Sequence, residues 1–191
     1  MNFFSQRKLM AKVFIFMLVA AAVVVMANQD GPPNGYTGSM GQLDCSICHS
    51  DFAVGSGLDL GGMFEIMGVP DQYTPGQTYQ ITVTIGQPGQ TRWGFELAAR
   101  FEGTEDQAGT IVQTDLDNTQ LSTFRNVQYI KHTNQGTYEM TADGPVSWSF
   151  NWIAPDTGTV VFGAAGNAAN DDNTPSGDYI YVKEVTTTAV E

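Results

Sequence analysis

From Gly62 onward the chain alternates apolar and polar positions with a period of two, in one short run after another. Tyr79, Ile81, Val83 and Ile85 fall on one face of residues 77–85, with Gln80, Thr82 and Thr84 on the other. Val146, Trp148, Phe150 and Trp152 alternate in the same way with Ser147, Ser149 and Asn151. This is the pattern of a half-buried β-strand. Eight strands are predicted on these grounds: residues 63–67, 77–85, 93–101, 109–114, 124–130, 146–152, 159–164 and 178–185. In the fifth, Phe124, Gln128 and Ile130 share a face opposite Val127 and Tyr129. Residues 73–76 (Tyr-Thr-Pro-Gly) and 87–90 (Gln-Pro-Gly-Gln) read as turns. No helical period interrupts the series. Short, regularly spaced strands with Gly/Pro/Asn turns predict an all-β fold, an antiparallel sandwich with one aromatic-rich core.

Residues 28–61 have a different texture. Positions 28–44 are rich in Gly, Pro and Asn, and 50–61 carry three glycines, so this stretch reads as an irregular lead-in. Before it, positions 1–12 hold three positive charges and no negative ones, and positions 13–25 are continuously apolar. Val25 and Ala27 then suit a cleavage site. That order is a secretory signal peptide, and 13 apolar residues fall short of the roughly 20 that span a bilayer. The expected organisation is a signal peptide at 1–27, a lead-in at 28–61, a sandwich at 62–188 and a tail at 189–191. The mature protein is expected outside the cytoplasm, in the periplasm, on the cell surface or beyond it, with no membrane insertion after cleavage.

Charge narrows the partners. The chain carries 20 acidic against 8 basic residues, a formal net charge of −12. Arg7, Lys8 and Lys12 lie in the leader, so the body has five basic residues and a net of −15. Such a body repels phosphate backbones, which excludes nucleic-acid binding, and it favours a partner with a basic docking patch.

The chemistry is confined to few residues, because the chain has only two Cys and two His. Cys45-Ser-Ile-Cys48-His49 fits the C-x-x-C-H haem-attachment motif. The thiols of Cys45 and Cys48 would form thioethers to haem c, and His49 would bind the iron as proximal ligand. A Cys45–Cys48 disulfide, a zinc site and free thiols are the competing readings. His132 is the expected distal ligand, and Met40, Met63, Met67 and Met140 are the alternatives. Asp171, Asp172 and Asp178 lie in an oxygen-rich stretch that would suit calcium, against the plainer reading of a solvated loop. There is no G-x-S-x-G and no H-E-x-x-H, so hydrolysis has little support.

Several stretches together carry a resemblance: Asn34–Gly38 (NGYTG), Cys45–His49, Tyr73–Tyr79 (YTPGQTY), Trp93–Phe95 (WGF) and Tyr129–His132 (YIKH). Trp148–Trp152 (WSFNW) with Ala154-Pro155, Ala165–Asn170 (AGNAAN) and Gly177–Tyr181 (GDYIY) complete the set. In this order the chain resembles exported bacterial proteins of the choice-of-anchor V group, related to the reelin-type (Reeler) β-sandwich. The resemblance implies an immunoglobulin-like sandwich preceded by a Cys-x-x-Cys-His element, and it places His132 within the family pattern. Members often carry a C-terminal anchoring tail, whereas here Thr186–Glu191 directly follows the last predicted strand.

Three functions follow. The first is an exported monohaem c-type cytochrome that moves single electrons and is not an enzyme. The second is a non-enzymatic cell-surface or adhesion module with a structural Cys pair. The third is a haem sensor or enzyme with an open iron site.

Overall fold

The computed structural model describes residues 29–191; the expected signal peptide at 1–27 lies outside them. Ten strands form two sheets. They are β1 (Met63–Met67), β2 (Gln72–Tyr73), β3 (Thr78–Gly86), β4 (Arg92–Phe101), β5 (Thr110–Gln113), β6 (Thr119–Phe124), β7 (Val127–His132), β8 (Val146–Ile153), β9 (Thr159–Ala169) and β10 (Tyr179–Ala189). One sheet has the order β1-β3-β8-β5, the other β2-β10-β9-β4-β7-β6. All pairings are antiparallel except that of β2 with β10. The predicted antiparallel sandwich is therefore the fold.

The period-two strands face as their sequences predict. Ile81, Val83 and Ile85 of β3 and Trp148, Phe150 and Trp152 of β8 are fully buried between the sheets, and Tyr79 packs against the same core. Directly opposite, β4 and β9 contribute Trp93, Phe95, Leu97 and Phe162. Trp148 stacks on Phe95 at 4.4 Å between ring centroids, and Trp152 meets Phe162 edge-on at 4.8 Å. The indole N–H groups stay satisfied in the dry interior, because Trp148 donates to Gly136 O and Trp152 to Ala108 O.

Two elements escape the sequence pattern. Phe124 does not open the β7 strand; it ends β6, and Arg125-Asn126 turn the chain back so that Phe124 pairs with Val127. Both turn residues have positive φ, 49° and 65°, as a two-residue hairpin requires. No glycine marks the turn, and Phe124–Ile130 therefore reads as one run. Phe124 is consequently half exposed rather than facing with Gln128 and Ile130. The predicted turn at 73–76 begins one residue late, because Tyr73 belongs to β2, is fully buried and donates its hydroxyl to Gly158 O. β9 runs on to Ala169 and β10 to Ala189, both beyond the predicted ends.

Trp152→Ala would remove a fully buried indole that touches Tyr73, Tyr79 and Phe162 and would orphan the Ala108 carbonyl. A loss of about 3–5 kcal/mol is expected, read as a lower urea midpoint with an unchanged slope. An unchanged midpoint would contradict the packing described here.

Candidate functional site

The site begins with a strand that is buried on both sides. In β4, odd-numbered residues face the core, while Gly94, Glu96, Ala98 and Arg100 face outward, yet all four are buried. The lead-in, residues 29–61, reaches Glu96 and Arg100, while the His132 ring lies over Gly94 and Ala98 packs with Val127 and Tyr129; polar groups hold the lead-in there. Glu96 accepts the Tyr36 N–H at 2.7 Å, and Arg100 donates to Ser39 O at 2.7 Å. On β7, Lys131 donates to Pro32 O at 2.6 Å and to Asn34 Oδ1 at 2.8 Å, and the Tyr129 hydroxyl accepts from Gln42. Gly163 permits close approach: a Cβ there would stand 2.0 Å from the Ser39 Cβ. Burial pushes the Glu96 carboxyl up to about 7, offset in part by the Tyr36 N–H and the Lys131 charge. Burial likewise holds Lys131 below its ordinary value.

Anchored in this way, the lead-in carries the Cys-x-x-Cys-His element onto the sheet as a single 3-10 turn, Cys45–Ile47. Asp44 caps it by accepting the Ser46 N–H at 2.7 Å. The Cys48 and His49 N–H groups both donate to Cys45 O, at 3.2 and 3.0 Å. Beyond the turn, Asp51 accepts the Gly177 N–H, Phe52 stacks on Tyr179 at 4.5 Å, and the Gly55 N–H donates to Ile180 O at 2.7 Å.

A cleft opens between this turn and one end of the six-stranded sheet, where β4 begins, β9 ends, β10 begins and β7 ends. Its volume is about 160 Å³, and it opens to solvent. Cys45, Cys48, His49 and His132 all line it, together with Pro32, Pro33, Tyr36, Trp93 and Phe95. The His49 Nδ1 lies 2.6 Å from Asp178 Oδ2, and Asp178 is 1% exposed. His132 is buried, and its Nδ1 lies 3.0 Å from the Phe95 N and 3.2 Å from the Phe95 O. Its ring rests over Gly94, where a Cβ would come within 2.8 Å of Cε1. Arg92, which also lines the cleft, pairs with Asp171 at 2.8 Å and with Glu139 at 3.5 Å. Arg92 Nε and Asn167 Oδ1, both of residues that line the cleft, are buried without a hydrogen-bond partner.

The four sequence-derived residues Cys45, Cys48, His49 and His132 thus come together. The methionines do not join them. Met63, Met67 and Met140 are exposed, and Met40 lines a second, polar cavity beside Arg100 and Tyr129. The three aspartates proposed for calcium point to separate partners. Asp171 takes Arg92, Asp172 accepts from the Thr174 N–H and hydroxyl, and Asp178 faces His49. Asp178 and Arg92 are the cleft residues that sequence reasoning missed in these roles. Only the isolated charge of Arg92 at the head of an apolar strand hinted at one of them.

Burial, with the charges of Asp44 and Glu96 behind it, pushes the Cys45 thiol up to about 12. A thiol held in its neutral form in this way is a poor redox nucleophile. Among the described residues no group of three or more His, Cys, Asp or Glu side chains is placed to hold a bare metal ion. Two histidines would suffice for a haem iron, whose macrocycle supplies the remaining ligands, and both histidines line this cleft. The unmet Arg92 Nε donor and the apolar walls fit the carboxylate and the ring of such a group.

No protein-family model matches the chain. Spondin-1 of Rattus norvegicus and Spondin-1 of Mus musculus are each 32% identical to it over 99 residues, which is 49% of this chain. The chain spans only 11% of the length of these curated relatives. Among solved structures, a human F-spondin reeler domain matches with TM-score 0.46 and 22% identity, over 68% of this chain and 89% of that one. The Reelin-N domain of F-spondin matches with TM-score 0.48 and 20% identity, over 76% and 97%. The likeness is to Reeler-type β-sandwiches; the sandwich itself is established by the two sheets of this chain. Among the described residues no helix is long and apolar enough to cross a membrane.

Two outcomes test this construction. Free glutamate ionises near 4.5 and Glu96 near 7, so between those values the folded protein holds the extra proton and loses stability as pH rises. Relative to Glu96→Gln, the wild type is expected to lose up to about 1.4 kcal/mol per pH unit across that window, followed by urea unfolding from pH 4.5 to 8. Parallel curves would show that Glu96 is not buried against the lead-in. Gly94→Ala should drive the His132 ring from its seat, at a cost of about 1–3 kcal/mol. The check is a large shift of the His132 ring resonances in NMR spectra, with those of Trp152 unmoved.

Proposed function

We propose that the protein is an exported monohaem c-type cytochrome built on a Reeler-like β-sandwich, an electron carrier rather than a catalyst. The observation that carries this reading is that both cysteines and both histidines of the chain line one cleft, although His132 lies far along the sequence from Cys45–His49. Cys45 and Cys48 would hold the haem covalently, His49 would be its proximal ligand and His132 its distal ligand. When bound, haem supplies a one-electron iron couple. The chain supplies the rest. Pro32, Pro33 and Tyr36 exclude water, Arg92 offers its unmet Nε donor to a carboxylate, and one imidazole held by β7 and one held by the lead-in limit rearrangement when the charge changes. The net charge of −15 on the body favours a redox protein with a basic docking patch. Kinship with the choice-of-anchor V group is part of the same proposal and rests on the sequence stretches quoted above.

A second reading is a non-enzymatic cell-surface module with a structural Cys45/Cys48 pair. The observation that favours it is the 32% identity to Spondin-1 over 99 residues. Both readings place the protein outside the cytoplasm.

Expression of the full chain with cytochrome c maturation machinery separates them. The haem reading expects an intact mass raised by one haem and a Soret band that survives acid-acetone extraction, both lost in Cys45→Ala/Cys48→Ala. A wild type without either would overturn it and leave the surface module. Within the haem reading, His132→Ala is expected to turn a low-spin spectrum high-spin, while Met40→Ala, Met63→Ala, Met67→Ala and Met140→Ala leave it low-spin. The reverse pattern would remove His132 from the iron.

A further inference from the structure

Asp178 is a buried acid whose chemistry the fold does not otherwise use. A carboxylate inside a protein needs donors, because when ionised it can only accept hydrogen bonds. Asp178 Oδ1 takes the Asn170 N–H at 3.2 Å, and Oδ2 lies 2.6 Å from the His49 Nδ1. The carboxylate cannot move away from that ring. The contacts from Asp51 to Gly177, from Phe52 to Tyr179 and from Gly55 to Ile180 fasten the chain after His49 to the chain on both sides of Asp178. The Asn167 Nδ2 stands 3.4 and 3.5 Å from the two nitrogens of the same ring. Nearly equal distances set that amide against the ring rather than in line with either nitrogen.

We propose that Asp178 is a positioning residue that fixes His49 as the Nδ1–H tautomer and presents the Nε2 lone pair to the cleft. The proposal rests on reading the cleft as a haem-iron site, and it adds control of the iron's potential. A ligating imidazole whose far N–H is given to a carboxylate is a stronger electron donor. Asp178 therefore stabilises the oxidised iron and lowers the reduction potential through His49, without touching the metal. The hydrogen bond spans 129 residues, so it also couples the attachment turn to the start of β10.

The test has two arms on the full chain. In haem-free protein, nitrogen-detected histidine NMR is expected to show His49, identified by its loss in His49→Gln, as the Nδ1–H tautomer. In Asp178→Asn, which keeps the side-chain volume, that preference is expected to fall to a mixture. In haem-loaded protein, Asp178→Asn is expected to raise the reduction potential and to let added imidazole displace His49 about 10–100-fold more readily. Asp178→Glu should restore part of both effects, which a purely structural role would not. A wild-type His49 found as the Nε2–H tautomer overturns the proposal, and so does an unchanged potential and displacement in Asp178→Asn. If no haem attaches to the wild type, the cytochrome reading fails while the tautomer arm still decides the role of Asp178.

Discussion

The docking of the lead-in on the outer face of the six-stranded sheet is the constraint on which the rest depends. It is made by polar groups. Glu96, Arg100 and Lys131 project from a surface that would otherwise face water, and each meets a backbone or amide group of residues 32–39. Burying charges is costly, and a buried pair often does no better than break even against apolar replacements. What such contacts provide is direction. An apolar strap could slide along the sheet, whereas a strap held by the Tyr36 N–H, Ser39 O and Pro32 O has one register. That register delivers Cys45, Cys48 and His49 to the edge of the cleft.

The cleft inherits its rigidity from the core on its other side. Trp93 and Phe95 belong both to the packed interior and to the cleft wall, and Phe95 stacks on Trp148. His132 is fixed against the Phe95 backbone at the end of β7, over a residue with no side chain. One histidine is thus positioned by the sandwich and the other by the strap. Any group held by both joins the two layers, so binding in the cleft stabilises the docking.

Much of this was legible in the sequence, and the exceptions have physical causes. β3 and β8 were readable because each has one dry and one polar face. β6 was not, because Arg125-Asn126 makes a tight turn without glycine and Thr119–Phe124 has little apolar character of its own. Glu96 and Arg100, charged residues within an otherwise apolar strand, were the available sign that β4 is covered on both sides. The four chemical residues could be picked out because Cys and His are so scarce. Asp178 could not be matched to His49, since nothing local distinguishes it from the neighbouring acids Asp171 and Asp172. Its burial and its partner exist only once β10 is registered against the strap.

The same contrast between strap and sheet bears on the two functional readings. A surface module needs an exposed face, and a structural Cys pair would need only the 3-10 turn to hold it. Neither requires a buried carboxylate aimed at the histidine of that turn, nor a second histidine seated over a bare glycine on the facing strand. These features are costly: Asp178 is buried, and an amide oxygen and a guanidinium nitrogen of cleft residues are left without partners. The cytochrome reading accounts for the histidines, the cysteines, the aspartate and the unmet donor together. The surface-module reading is the one that the 32% identity to Spondin-1 over 99 residues favours.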